Sequence, residues 1–186
     1  MFGLRKKRRP IEVVDIAIPS MKSAQGKYFI GQTEMLEMAG QQQNAWGGLF
    51  NPADSGIDLF FDIFTITNFS SQYYNAEIWL QSKQPGGGAV SPLIHPANLA
   101  LQPPPEPKAE LRYGSRVQGM PLGGVNVFNR IVPPNTTLIS DSSKGGIVVP
   151  PGGSFAIFLK SPGPFAYEAK IVFSWWEDAS AGGGSL

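Results

Sequence analysis

The sequence predicts an all-β protein: an antiparallel two-sheet β-sandwich, of jelly-roll connectivity, with about nine or ten strands. Three observations predict it. The stretch Gly56 to Ser82 holds two long runs of branched and aromatic residues around a polar Asn68 to Ser71 turn. From Ala109 onward, apolar runs alternate with Gly, Pro, Asn and Asp turns at the short spacing of sandwiches and barrels. Gly (22) and Pro (17) make up about a fifth of the 186 residues, yet 42% are hydrophobic, so the chain is turn-rich and still able to bury a core. One domain suits this length. Its expected parts are a basic N-terminal arm with an extended segment over 1–26, the sandwich over 27–178 and a mobile Gly-rich tail over 179–186.

In chain order, Pro10 blocks a helix and Ile11 to Ile18 reads as an extended apolar segment ending at Pro19, with Val14, Ile16 and Ile18 facing one way. Ser20 to Gly26 reads as flexible, Lys27 to Gly31 as a short strand, and Thr33 to Ala39 (TEMLEMA) as one or two helical turns. The turn Asn51 to Gly56 leads into the long pair. Strict alternation there puts Ile57, Leu59, Phe61 and Ile63 on the core face and Phe60, Phe64 and Ile66 outside. Gln84 to Pro107 reads as the least structured stretch, a Pro-rich crossover. Further strands are expected over 110–118, 125–132, 136–140, 146–149, 154–160 and 167–177, the last two turning Phe158 and Trp176 outward.

Arg5, Lys6, Lys7, Arg8 and Arg9 take five of the 15 basic residues, leaving ten against 14 acidic ones, a remainder of −4. The positive charge is therefore an arm suited to an anionic surface, and no pattern of a sequence-specific nucleic-acid binder follows it. No cysteine is present, which excludes disulfides and thiolate chemistry. No apolar run is long enough for a membrane span, and Glu12 and Asp15 interrupt the apolar middle a signal peptide requires. His95, the only histidine, sits in a loop without neighbours to tune it. Asp58 and Asp62 share a strand face but lie roughly 13 Å apart at ~3.3 Å per residue, too far to bridge one ion. No metal, cofactor or catalytic residue is expected.

The segments FNPADSGIDLFFDIFTITN, AEIWLQS, GGVNVFNRIVPPNTTLI, VPPGGSFAIFL and FSWWED, in that order, resemble a functionally uncharacterised family of small proteins from spore-forming Firmicutes, over Tyr28 to Asp178. That resemblance implies no activity. The patterns NPADSG and VPPGGSF look, more distantly, like jelly-roll subunits of phage fibres and spore-surface appendages, which would place the protein on a spore or virion surface. Spore-appendage subunits cross-link through cysteines; without any, assembly here would rest on strand exchange and packing.

The functional expectation is a non-enzymatic structural subunit forming a homo-oligomeric filament or surface layer. Candidate contacts are Val14, Ile16 and Ile18 of the arm and the outward Phe60, Phe64, Ile66, Phe158 and Trp176. The alternative is a carbohydrate-binding or receptor-binding surface module with Trp46 and Trp79 as stacking platforms.

Overall fold

Strands from the first half of the chain pair with their mirror images from the second half, and this nesting sets the architecture. The computed structural model describes residues 15–40, 42–140 and 146–180. Its elements are a helix, α1 (Ile18–Ala24), and the strands β1 (Tyr28–Gln32), β2 (Leu36–Met38), β3 (Asn44–Phe50), β4 (Ile57–Asn68), β5 (Tyr74–Leu80), β6 (Ala89–Val90), β7 (Ile94–Pro96), β8 (Glu110–Val117), β9 (Val125–Val132), β10 (Thr136–Ser140), β11 (Ile147–Val149), β12 (Ser154–Lys160) and β13 (Tyr167–Ala179). One sheet runs β10-β4-β13-β1-β7, with β11 also on β4 and β2 also on β13; the other runs β6-β8-β3-β12-β5-β9.

β1 pairs with β13, β3 with β12, β4 with β10 and β11, and β5 with β9, every pair antiparallel. A ribbon of four such pairs, laid alternately into two facing sheets, is a jelly roll. Short strands account for the excess over the expected nine or ten. β6 and β7 lie within the Gln84 to Pro107 stretch read as unstructured and extend the two sheets at their edges.

Two local expectations are corrected. TEMLEMA forms strand β2 because Leu36 and Met38, both buried, alternate with the outward Glu37 and fit against β13, so tertiary pairing overrides helix propensity. The stretch read as extended and then flexible instead enters α1 at Ile18. Pro19 stands at the first turn, where its fixed φ favours a helix and its missing N–H costs nothing. Gly26, at φ +72°, ends it in the left-handed conformation. Lys22 and Lys27 both pair with Asp178, Lys27 at 2.8 Å, and this ties the helix to the end of β13. β13 itself runs to Ala179, and Ser180 donates to Asp58 at 3.0 Å, so the first two residues read as tail are held to the sheet. Residues 1–14 and 181–186, with Val14 and the basic run Arg5 to Arg9, lie outside the described residues.

The largest correction lies in β4. Buried residues alternate through Ile57, Leu59 and Phe61, then resume at Phe64, Ile66 and Asn68, with Asp62 buried between the two runs. On β13, Trp175 faces Phe61 and Ser174 faces Ile63, which leaves Asp62 as the extra residue of a β-bulge. Because side chains alternate with a period of two, one inserted residue moves everything after it to the other face. Tyr28 Oη donates to Asp62 Oδ2 at 2.6 Å, giving the buried carboxylate a partner. Beyond the bulge, Phe64 and Ile66 point into the core and Ile63 points out.

Aromatic packing dominates that core. Phe61 and Phe155 stack at 4.1 Å between the sheets, Phe173 meets Phe155 edge-on at 6.2 Å, and Tyr74 meets Tyr167 at 89°. Each fully buried Phe contributes about 1.5–3 kcal/mol relative to exposure.

Candidate functional site

Cross-strand partners share a face, so the pairing registers show what each sheet presents outward. On the seven-stranded sheet the outer face is built of rungs: Val148, Phe60, Trp176 and Tyr28; then Ile63, Ser174, Ile30 and His95; then Ile139, Thr65, Val172 and Gln32; then Thr137, Thr67 and Lys170. Lys170 is the one lysine in these four rungs and His95 the one imidazole, and the buried Asp62 carboxylate lies beside the first rung under the Tyr28 hydroxyl. Ile139 is 67% exposed, Val148 46% and Ile30 45%, while Thr67 and Thr137 hydroxyls meet at 3.0 Å.

The residues expected to point outward fall into three groups. Phe60 and Trp176 do belong to this face but stack on each other at 5.5 Å and 3°, which leaves Trp176 only 4% exposed. Phe64 and Ile66 are core residues because of the bulge at Asp62. Phe158 lies on the outer side of the other sheet, yet is fully buried there among Trp46 and Val117, with Phe50 and Trp79 packed against them. Its direction is the one expected, but its burial is not: a second, small cluster covers that face. Ile16 and Ile18 are exposed, at 60% and 52%.

Trp46 and Trp79 meet in this cluster, but neither is a free platform. The Trp46 indole is 1% exposed, donates Nε1 to Pro85 O at 2.8 Å and lies over β8, where a Cβ at Gly114 would approach it to 2.6 Å. Trp79 is half-buried and donates to Glu77 at 3.1 Å.

Beside this cluster opens a cleft of about 590 Å³. The turns NPADSG and VPPGGSF converge on it: Asn51 N–H donates to Gly153 O at 3.0 Å, and Gly152 N–H donates to Asn51 O at 2.9 Å. The Asn51 amide, 2% exposed, donates to Ile57 O and Val149 O at 2.8 and 2.9 Å and thereby holds both turns. Phe50 and Trp46 form the apolar part of the wall, 5.9 Å apart and edge to face. Arg112 reaches over the Phe50 ring at 5.7 Å and pairs with Glu110 at 2.6 Å. Sequence reasoning singled out none of Phe50, Asn51, Glu110 and Arg112; an Asn opening a turn between two strands was the available signal.

The family of unknown function DUF6143 matches residues 3–181. The chain belongs to DUF6143. No curated protein and no solved structure matches it. Among the described residues of this DUF6143 protein, no group of three or more His, Cys, Asp or Glu is placed to hold a metal ion, and no helix is long and apolar enough to cross a membrane. Asp58 and Asp62 stay apart in role as well as in distance: Asp58 takes a hydrogen bond from Ser180, Asp62 one from Tyr28. His95 is an exposed residue of edge strand β7.

Proposed function

We propose that this DUF6143 chain is a non-enzymatic structural subunit that assembles with copies of itself through the outer face of its seven-stranded sheet and its N-terminal arm. The observation that carries the reading is that face: Ile30, Ile63, Ile139, Val148 and Val172 in neighbouring rungs, with threonines between them, one lysine and the edge residue His95. A second copy is the occupant it suits, because a sheet face dominated by exposed Ile, Val and Thr can meet its own copy across a two-fold axis. Four strands at ~4.8 Å spacing and four rungs at ~7 Å give a footprint of roughly 500 Å², short of the ~800 Å² per partner of a standard interface.

The arm supplies the rest. Ile16 ahead of α1 and Ile18 at its start are exposed, belong to neither core cluster and follow the basic run Arg5 to Arg9 in the chain. Carried onto a neighbour, such a segment makes a head-to-tail contact that propagates, whereas the sheet face closes a pair; the two together build a filament or layer. The distant likeness to jelly-roll subunits of spore appendages and phage fibres points to a spore or virion surface as its setting, with Arg5 to Arg9 as the candidate contact to an anionic partner.

Light scattering and electron microscopy of the full chain test this. Assemblies are expected, shrinking on deletion of residues 1–19 and dissociating in Ile139→Glu and Val148→Glu, with circular dichroism unchanged. A monodisperse full-length monomer at high concentration refutes the reading.

A further inference from the structure

We infer that the groove beside edge strand β7 is the acceptor for the arm of a second copy and takes its Ile16 and Ile18 in a head-to-tail contact. This deepens the assembly reading and rests on it, naming the surface that receives the arm.

The groove, of about 680 Å³, opens at the β7 edge of the seven-stranded sheet. Ile30 and Val172 from the sheet and Leu93, Pro96, Ala97 and Leu99 from the chain around β7 make its wall mostly apolar. Leu99 is 78% exposed and Ile30 45%, so no described residue covers them. Contiguous apolar surface of this kind marks an interaction site.

The same chain carries a projection to match. Ile16 is 60% exposed, Ile18 52% and Met21 40%, and α1 buries none of its residues. Ile18 and Met21, three positions apart on the helix, share a face. Lys22 and Lys27 pair with Asp178 of β13, so the helix that bears these side chains is fixed to the body of the sandwich. An apolar helix end seating in an apolar groove is a common recognition mode. Within one copy groove and projection both stay open to solvent; between copies they can meet. Because they are different surfaces, the contact is heterologous and repeats from copy to copy.

Charge favours the same occupant. His95 is the one ionisable residue of the groove wall, and Asp15 directly precedes Ile16. Seating the two isoleucines brings that carboxylate toward the imidazole.

Complementation between two full-length variants is the test. One carries Ile16→Glu with Ile18→Glu and keeps its groove; the other carries Leu99→Glu and keeps its arm. All these positions are exposed, so both variants should fold, which circular dichroism checks. In analytical ultracentrifugation each alone should stop at the two-fold pair formed by the sheet face. An equimolar mixture should grow large assemblies again, because each variant supplies the half the other lacks. Monomers that combine only into mixed pairs would support the groove contact and remove the sheet-face contact. Variants that assemble as the unaltered chain does would overturn the groove contact and leave the sheet face standing. So would a mixture that behaves as its components do separately, the result if the groove takes its own arm or an unrelated apolar ligand. A monodisperse monomer of the unaltered chain overturns both.

Discussion

Replacing Ile63 and Phe64 by alanine, one at a time, turns the bulge at Asp62 into an ordering of two stabilities. Phe64 is 1% exposed, pairs with Phe173 on β13 and has the Phe61 and Phe155 rings within about 6 Å. Phe64→Ala therefore removes a core ring and leaves a cavity, a loss of about 3–5 kcal/mol. At ~2–4 °C per kcal/mol for a domain of this size, the melting temperature should fall by roughly 6–20 °C. Ile63 is half-buried on the outer face, so Ile63→Ala should cost only about 1 kcal/mol. Uninterrupted alternation along β4 demands the reverse order, with Ile63→Ala at about 2–5 kcal/mol and Phe64→Ala near zero. The assay is guanidinium unfolding at several protein concentrations, which separates chain stability from any assembly through Ile63. A larger loss for Ile63→Ala than for Phe64→Ala refutes the bulge and, with it, the composition of the outer face.

Two further predictions concern charge. Burial first, then the hydrogen bond to Asp62, pushes Tyr28 up to about 12, above the ~10 of an unfolded tyrosine. The unfolded chain thus gives up this proton first, and the contribution, whole below pH ~10, is lost as pH rises toward 12. Tyr28→Phe should flatten part of that decline in urea midpoints, Tyr74, also raised by burial, accounting for more of it. At neutral pH the same variant should cost about 1.5–3 kcal/mol, because Asp62 loses a charge-assisted donor; an unchanged midpoint would contradict the pairing. At Asp178, burial would raise the carboxyl, but hydrogen bonds from Lys22 and Lys27 and their charges outweigh it and hold it low. Its contribution is present above the ordinary carboxylate range and lost as pH falls through the lowered value. Asp178→Asn should free α1, seen as faster tryptic cleavage at Lys22 and Lys27 with core amide exchange unchanged; equal cleavage rates would show that other contacts hold the helix.

Much of the cleft's frame was legible as turns. Asn51-Pro52 and Pro150 to Gly153 announce themselves through backbone chemistry local to a few residues. That the two turns lie side by side depends on β3 pairing with β12, a contact between residues about a hundred positions apart, and no local signal encodes it. Glu110 and Arg112 join the same site through β8, which pairs with β3 only after the long Pro-rich connection closes. Helix α1 was misread for a different reason: Pro19 ends an extended segment and begins a helix equally well.

By itself the sequence determined the layer architecture, the near-alternation of strands and turns, and which strands form the inner walls, as Phe155, Ile157 and Leu159 or Ala169, Ile171 and Phe173 show. Those features follow from the period of two and from turn residues, both local. Tertiary structure alone decided which face each residue of β4 occupies beyond Asp62, and whether an outward aromatic meets water. One extra residue reverses the face, and the Tyr28 hydroxyl that gives the buried Asp62 its hydrogen bond comes from a strand not even adjacent to β4. Phe158 points away from the core as alternation requires, yet it is buried, because Trp46 from the next strand lies across it. Alternation sets the direction of a side chain; what covers it depends on which strand the fold places alongside.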